Sequence, residues 1–199
     1  MVKFEHHFLT TYNLGAVLLF LILCVVSVPS HELDVEQLRS QLRLNSDLVE
    51  ITHWPDLKIS LKYSTTDNFL NKDLYGDFEQ AWLHKNAADK LKKAIALLKT
   101  RCRECKLVIY DALRPRRVQK KMWAYVVPLK KTLYVANPVK GSIHNFGLAI
   151  DLSIQDEAGI PLDMGTPFDS FEPIAQPRYE QDFLKQGKLT VMQVENREL

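Results

Sequence analysis

Two side chains in this sequence have the types and spacing to share a metal ion. They are His144 and Asp151, in the run S-I-H-N-F-G-L-A-I-D that spans residues 142–151. Imidazole and carboxylate are both common ligands of divalent zinc. Asp151 falls within an apolar stretch, L-A-I-D-L-S-I, over residues 148–154. Burying a carboxylate without a partner costs several kcal/mol, so something positive must meet it. A divalent cation shared with His144 is one such partner, and an arginine is another. The plainer alternatives are an aspartate that caps a turn and a histidine satisfied by its neighbours. A second candidate group is D-A-L-R-P at residues 111–115. A fixed guanidinium in a dry cleft stabilises negative charge that develops on oxygen by several kcal/mol. From the residues alone, however, a plain salt bridge is the favoured reading of Arg114, with Asp111 holding that arginine or the loop.

Several elements must hold these groups. Asn145-Phe146-Gly147 reads as a tight turn, because glycine reaches backbone angles that other residues avoid. Leu148 to Ile154 then reads as a buried strand. Lys106 to Tyr110 is a short apolar strand that ends at Asp111. Pro115 suits the first turn of a helix, where its missing N–H is not needed. That helix is expected to run to about Val127, with Val118, Met122 and Tyr125/Val126 inward and Arg116, Arg117, Lys120 and Lys121 on a solvated face. Arg114 thus sits at a strand-to-helix junction, a place from which side chains project into clefts. Leu57 to Tyr63 alternates as a strand should. Asn86 to Lys99 is the clearest helix, capped by Asn86, with Ala88, Leu91, Ile95 and Leu98 on one stripe. His84 before it reads as structural. A hairpin turns near Gly159, residues 171–188 read as a covering loop, and Leu189 to Leu199 opens another helix.

The chain has 199 residues, 46% apolar and 25% charged, which suits one globular domain with an N-terminal appendage. A net charge of +2 gives no argument for a nucleic-acid partner. Leu14 to Val28 is almost wholly apolar, short for a membrane span but right for the core of a secretory signal. Residues 1–30 are therefore expected to be a signal peptide or an N-terminal membrane anchor, and residues 31–47 a linker or short helix. The domain is expected over 48–199, exported to a periplasm or to the outer face of the cytoplasmic membrane. Membrane attachment would run through residues 14–28. Cys102 and Cys105 are too few for a structural zinc site; a local disulfide is the reading in an oxidising compartment.

Four segments, in order, resemble the zinc D-alanyl-D-alanine dipeptidases and the related D,D-carboxypeptidases. They are K-Y-S-T-T-D-N-F from Lys62, D-A-L-R-P from Asp111, S-I-H-N-F-G-L-A-I-D from Ser142 and M-G-T-P-F-D from Met164. The resemblance implies an α+β fold, a small and mostly antiparallel sheet with helices packed on it. It implies one zinc per chain, held by His144 and Asp151 together with a further ligand. Arg114 would steady the oxyanion, and Ser142, Tyr63 and Asp169 would bind substrate, Asp169 meeting an ammonium group. Without the resemblance, Tyr63 is a core aromatic at a strand end and Asp169 caps a turn. The implied reaction is hydrolysis of D-Ala-D-Ala to D-alanine in cell-wall peptide metabolism. A D,D-carboxypeptidase acting on stem peptides and a non-catalytic wall-peptide binder are the alternatives. In the family a C-terminal Glu/His strand (E-W-W-H) supplies the third ligand and the base, and nothing here matches it. The expectation is therefore a domain incomplete at its C-terminal side that binds zinc poorly and turns over little.

Overall fold

The computed structural model describes residues 34–130, 132 and 134–199. The expected signal or anchor at residues 1–30 lies outside the described residues. Helix α1 (Val35–Leu44) comes first, with Asp34 as its cap. The Asp34 carboxylate accepts from the Gln37 backbone N–H at 2.7 Å, satisfying one of the donors a helix start leaves open. The segment 31–47, read from sequence as a linker or a short helix, thus contains a helix over Val35–Leu44. Its Leu42 is buried in the core with Tyr75, Phe78, Val118 and Met122, which extends the packed body to the N-terminal side of residue 48.

Strands β1 (Leu48–Glu50) and β2 (Leu57–Ile59) follow, then β3 (Trp82–His84) and helix α2 (Lys85–Arg101). Helix α2 is capped by His84, whose Nδ1 accepts from Asn86 N at 3.2 Å. Asn86, read from sequence as the cap, lies inside the first turn instead. Ala88, Leu91 and Leu98 are buried as their spacing predicts. Strand β2 is shorter than the alternation over 57–63 suggests, because the chain turns into a 3₁₀ segment at Lys62–Ser64.

Strand β4 (Lys106–Asp111), helix α3 (Arg116–Val126) and strand β5 (Asp151–Gln155) complete the frame of the site, and α4 (Glu180–Lys185) and α5 (Val191–Glu198) close the chain. Helix α3 is held by Val118, Met122 and Val126, all buried. Each such side chain contributes roughly 1.5–3 kcal/mol of burial, so apolar contacts keep α3 in place. Cys102 and Cys105 form a local disulfide between α2 and β4, with Cα atoms 5.4 Å apart.

The sheet order is β2-β4-β5, with β2 parallel and β5 antiparallel to β4; β1 and β3 form a separate antiparallel pair. One core lies between α2 and the sheet, around Leu91, Leu98, Leu107, Ile109 and Ile154. The fold is therefore α+β, with small and mostly antiparallel sheets, as expected. The buried strand expected over 148–154 is corrected: β5 begins at Asp151, and Leu148 before it and Leu152 within it are exposed. Asp151 opens the strand instead of lying in its middle. Among the described residues no helix is long and apolar enough to cross a membrane.

Candidate metal centre

The register of β4 and β5 places two carboxylates face to face. Ile109 pairs with Leu152, then Asp111 pairs with Asp151, so Tyr110 is the extra residue of a bulge. A bulge re-aims the side chains beyond it. Here it sets like charges directly across a strand pair, which is destabilising unless cations stand between them.

Arg114 is the first of those cations. Its Nε donates to Asp111 Oδ2 at 2.8 Å, and its Nη2 donates to the same oxygen. Nη2 also lies 3.8 Å from Asp151 Oδ2. Burial alone would drive this guanidinium toward neutrality, but Asp111, Tyr75 and Tyr63 around it together more than reverse the effect and hold the charge. The Tyr63 ring lies under it, 5.2 Å from ring centroid to Cζ.

Asp111 is fully buried, at 0% exposure. Its other oxygen, Oδ1, accepts from the Tyr75 hydroxyl and from Ala112 N. With two donors on each oxygen, its lone-pair positions are filled. Asp111, His144 and Asp151 offer ligand atoms within 4.8 Å of one another, but Asp111 is spent on holding Arg114. Two uncommitted metal donors remain in that cluster.

Those two are His144 and Asp151. His144 lies in a 3₁₀ turn, Ile143–Phe146, and its Nδ1 is 2.9 Å from the carbonyl oxygen of Ala112. A carbonyl only accepts, so Nδ1 carries the proton and Nε2 presents its lone pair. Nε2 stands 3.6 Å from Asp151 Oδ1. Two ligands on one tetrahedral zinc sit about 3.4 Å apart, given bonds of about 2.1 Å. The pair therefore fits a shared zinc within a few tenths of an ångström. Burial pushes the Asp151 carboxyl above its ordinary range; the charge of Asp111 adds to the rise and that of Arg114 opposes it. A cation on Asp151 would relieve that strain.

The turn is stitched to the Arg114 loop by backbone and side chain. Arg114 N donates to His144 O at 2.9 Å, and Asn145 Nδ2 donates to Arg114 O at 2.8 Å. Asn145 Oδ1 in turn accepts from Ser142 N at 2.8 Å. The Ser142 hydroxyl accepts from His144 N at 3.3 Å, so its visible contact positions the histidine. Gly147 ends the turn at φ +66°, and a Cβ there would meet His84 N at 2.7 Å. Only glycine allows that approach.

Tyr63 and Asp169 lie together at the side of Arg114. The Tyr63 hydroxyl donates to Asp169 Oδ2. Burial, and then the charge of Asp169, push the phenol well above its ordinary value, so it stays a neutral donor. Burial lifts Asp169 to about 6; the Tyr63 hydrogen bond opposes that rise and the charge of Asp151 adds to it. Asp169 has a left-handed backbone, at φ +57°, which aspartate tolerates better than most residues.

All six residues singled out from sequence, Tyr63, Arg114, Ser142, His144, Asp151 and Asp169, thus belong to one connected group. Sequence reasoning missed Tyr75, Asn145 and Gln119. Tyr75 left no signal. Asn145 lies inside the signature itself, and Gln119 sits on the apolar face of α3 between Val118 and Met122.

The sequence pattern of a family described as D-ala-D-ala dipeptidase matches residues 45–186. The D-alanyl-D-alanine dipeptidase of Escherichia coli (strain K12) is 40% identical over 116 residues, which is 58% of this chain. The match spans 57% of that relative's length.

Proposed function

Because this chain belongs to the D-Ala-D-Ala dipeptidase family, we propose that its site serves a zinc peptidase that hydrolyses D-alanyl-D-alanine to D-alanine. We place this activity in cell-wall peptide metabolism outside the cytoplasmic membrane. The supporting observation is the convergence of His144 Nε2 and Asp151 Oδ1 at 3.6 Å beside the buried guanidinium of Arg114. Zinc held by those two residues would supply Lewis acidity, which no side chain of the cluster can replace.

The remaining work belongs to the chain. Arg114, fixed by Asp111, offers positive charge to the oxygen that gains charge as the peptide carbonyl becomes tetrahedral. Preorganised charge of this kind needs no reorganisation during reaction. Asp169 offers a carboxylate to the ammonium of a dipeptide, with Tyr63 holding it. Ser142 and Asn145 keep the His144 turn in register with Arg114. Hydrolytic zinc sites take three protein ligands and a water. With two uncommitted donors in the described cluster, zinc binding by this chain is expected to be weaker than micromolar.

Isothermal titration with zinc tests that expectation, and sub-micromolar affinity contradicts it. The function is tested by incubating the protein with excess zinc and D-Ala-D-Ala and counting free D-alanine. Release should require zinc and vanish in His144→Ala and Asp151→Asn. Zinc-loaded protein that neither binds nor cleaves the dipeptide overturns the reading. Binding without turnover favours a wall-peptide binder, and faster cleavage of a longer peptide ending in D-Ala-D-Ala favours a D,D-carboxypeptidase.

A further inference from the structure

We propose that Gln119 is a positioning residue for Arg114: it fixes the rotation of the guanidinium and ties it to the loop that leads into the His144 turn. The part of this inference that concerns catalysis rests on the peptidase reading above. Gln119 is the unusual residue of helix α3, a polar side chain at 0% exposure on a face otherwise made of Val118, Met122 and Val126. A buried amide without partners is costly, so its bonds carry information. Its orientation is unambiguous. Arg114 only donates, and Nη1 donates to Gln119 Oε1 at 3.0 Å. The Ala136 carbonyl only accepts, and Gln119 Nε2 donates to it at 2.7 Å. Each end of the amide therefore has the one partner its chemistry allows.

Asp111 holds one edge of the guanidinium through Nε and Nη2. An edge held by one oxygen can still pivot about it. Gln119 supplies the third point, on Nη1, and that sets the plane. Ala136 lies in the loop before Ser142, so the same amide sets the distance between Arg114 and the segment that delivers His144. Tyr75 acts one step further out, through Asp111.

Two isosteric variants separate positioning from packing. Gln119→Met keeps the apolar volume and removes both hydrogen bonds. Gln119→Glu keeps an acceptor for Arg114 and loses the donor to Ala136. The first readout needs no ligand: the Nη resonances of Arg114 in ¹⁵N-labelled protein. They should be separate in the unaltered chain, merge through rotation in Gln119→Met, and separate again in Gln119→Glu. The second readout compares zinc-loaded affinity for D-Ala-D-Ala with that for its phosphinate analogue, whose charged tetrahedral centre mimics the transition state. Gln119→Met should weaken phosphinate binding about ten- to a hundredfold, and dipeptide binding by less than about twofold. Gln119→Glu should recover most of the phosphinate affinity. Unchanged Nη resonances in folded Gln119→Met, or equal loss of both ligands, overturns the proposal. If the unaltered protein binds neither ligand, the peptidase reading fails, and the resonances still decide whether Gln119 holds Arg114.

Discussion

Replacing Asp169 by asparagine should make the protein more stable at neutral pH and less dependent on pH. Burial lifts this carboxyl from its ordinary 3.8 to about 6. Between those two values the folded chain holds a proton that the unfolded chain has released. The contribution to stability is therefore complete below about 3.8 and is lost as pH rises through about 6. Above it, the folded state carries a half-buried charge whose hydrogen bond from Tyr63 does not fully compensate. The full difference corresponds to about 3 kcal/mol, and screening by solvent at the open side reduces it to roughly 1–2 kcal/mol. The asparagine would keep the Tyr63 contact, since its amide oxygen accepts equally well, and it tolerates the left-handed backbone there. The assay is urea denaturation of both proteins at pH 5 and pH 8. Somewhat under half of the full effect falls between those conditions, so the stability of Asp169→Asn relative to the unaltered protein should rise by roughly 0.5–1 kcal/mol from pH 5 to pH 8. Subtracting one protein from the other cancels the titrating groups that do not interact with Asp169. A difference that stays constant with pH refutes the reasoning. The same charge explains why Asp169 suits a ligand ammonium: the ligand supplies the missing cation. Dipeptide binding should accordingly weaken below pH 6 and be largely lost in Asp169→Asn.

What the sequence revealed and what it hid divide along physical lines. The apolar stripe of α2 and the inward face of α3 were visible, because burial imposes a period on one chain segment. Gly147 was visible because its requirement is local, a turn that other residues resist. Pairings between segments were not. The bulge at Tyr110 exists only in relation to β5, so no pattern within residues 106–111 announces that Asp111 will face Asp151. The commitment of Asp111 to Arg114 was foreseen as one option, but its full set of donors depends on Tyr75, an aromatic with no motif around it. The His84 cap displaced Asn86 because an imidazole can accept from the second residue onward as readily as an asparagine side chain can. The strand foreseen from Leu148 starts later because the backbone of this turn is already committed: Leu148 N donates to Ile143 O at 3.3 Å and Gly147 O accepts from His84 N at 2.9 Å.

Two further substitutions probe the frame of the site. Gly147→Ala would press a methyl group onto His84 N at 2.7 Å in a left-handed backbone. It should destabilise the protein by roughly 2–4 kcal/mol in thermal melts and weaken zinc binding by moving His144; a melt within about 0.5 kcal/mol of the unaltered protein would show that the turn is slack. Asp111→Asn tests the assignment of Asp111 as holder of Arg114 and not as metal ligand. It removes the charge that meets a 7% exposed guanidinium, and a buried pair broken on one side costs roughly 3–5 kcal/mol. A metal ligand would behave differently: its loss would lower zinc affinity while relief of carboxylate repulsion with Asp151 left the metal-free protein as stable or more so. Urea melts of the metal-free variant decide between the two, because only the holder of a buried arginine is needed when no cation is present.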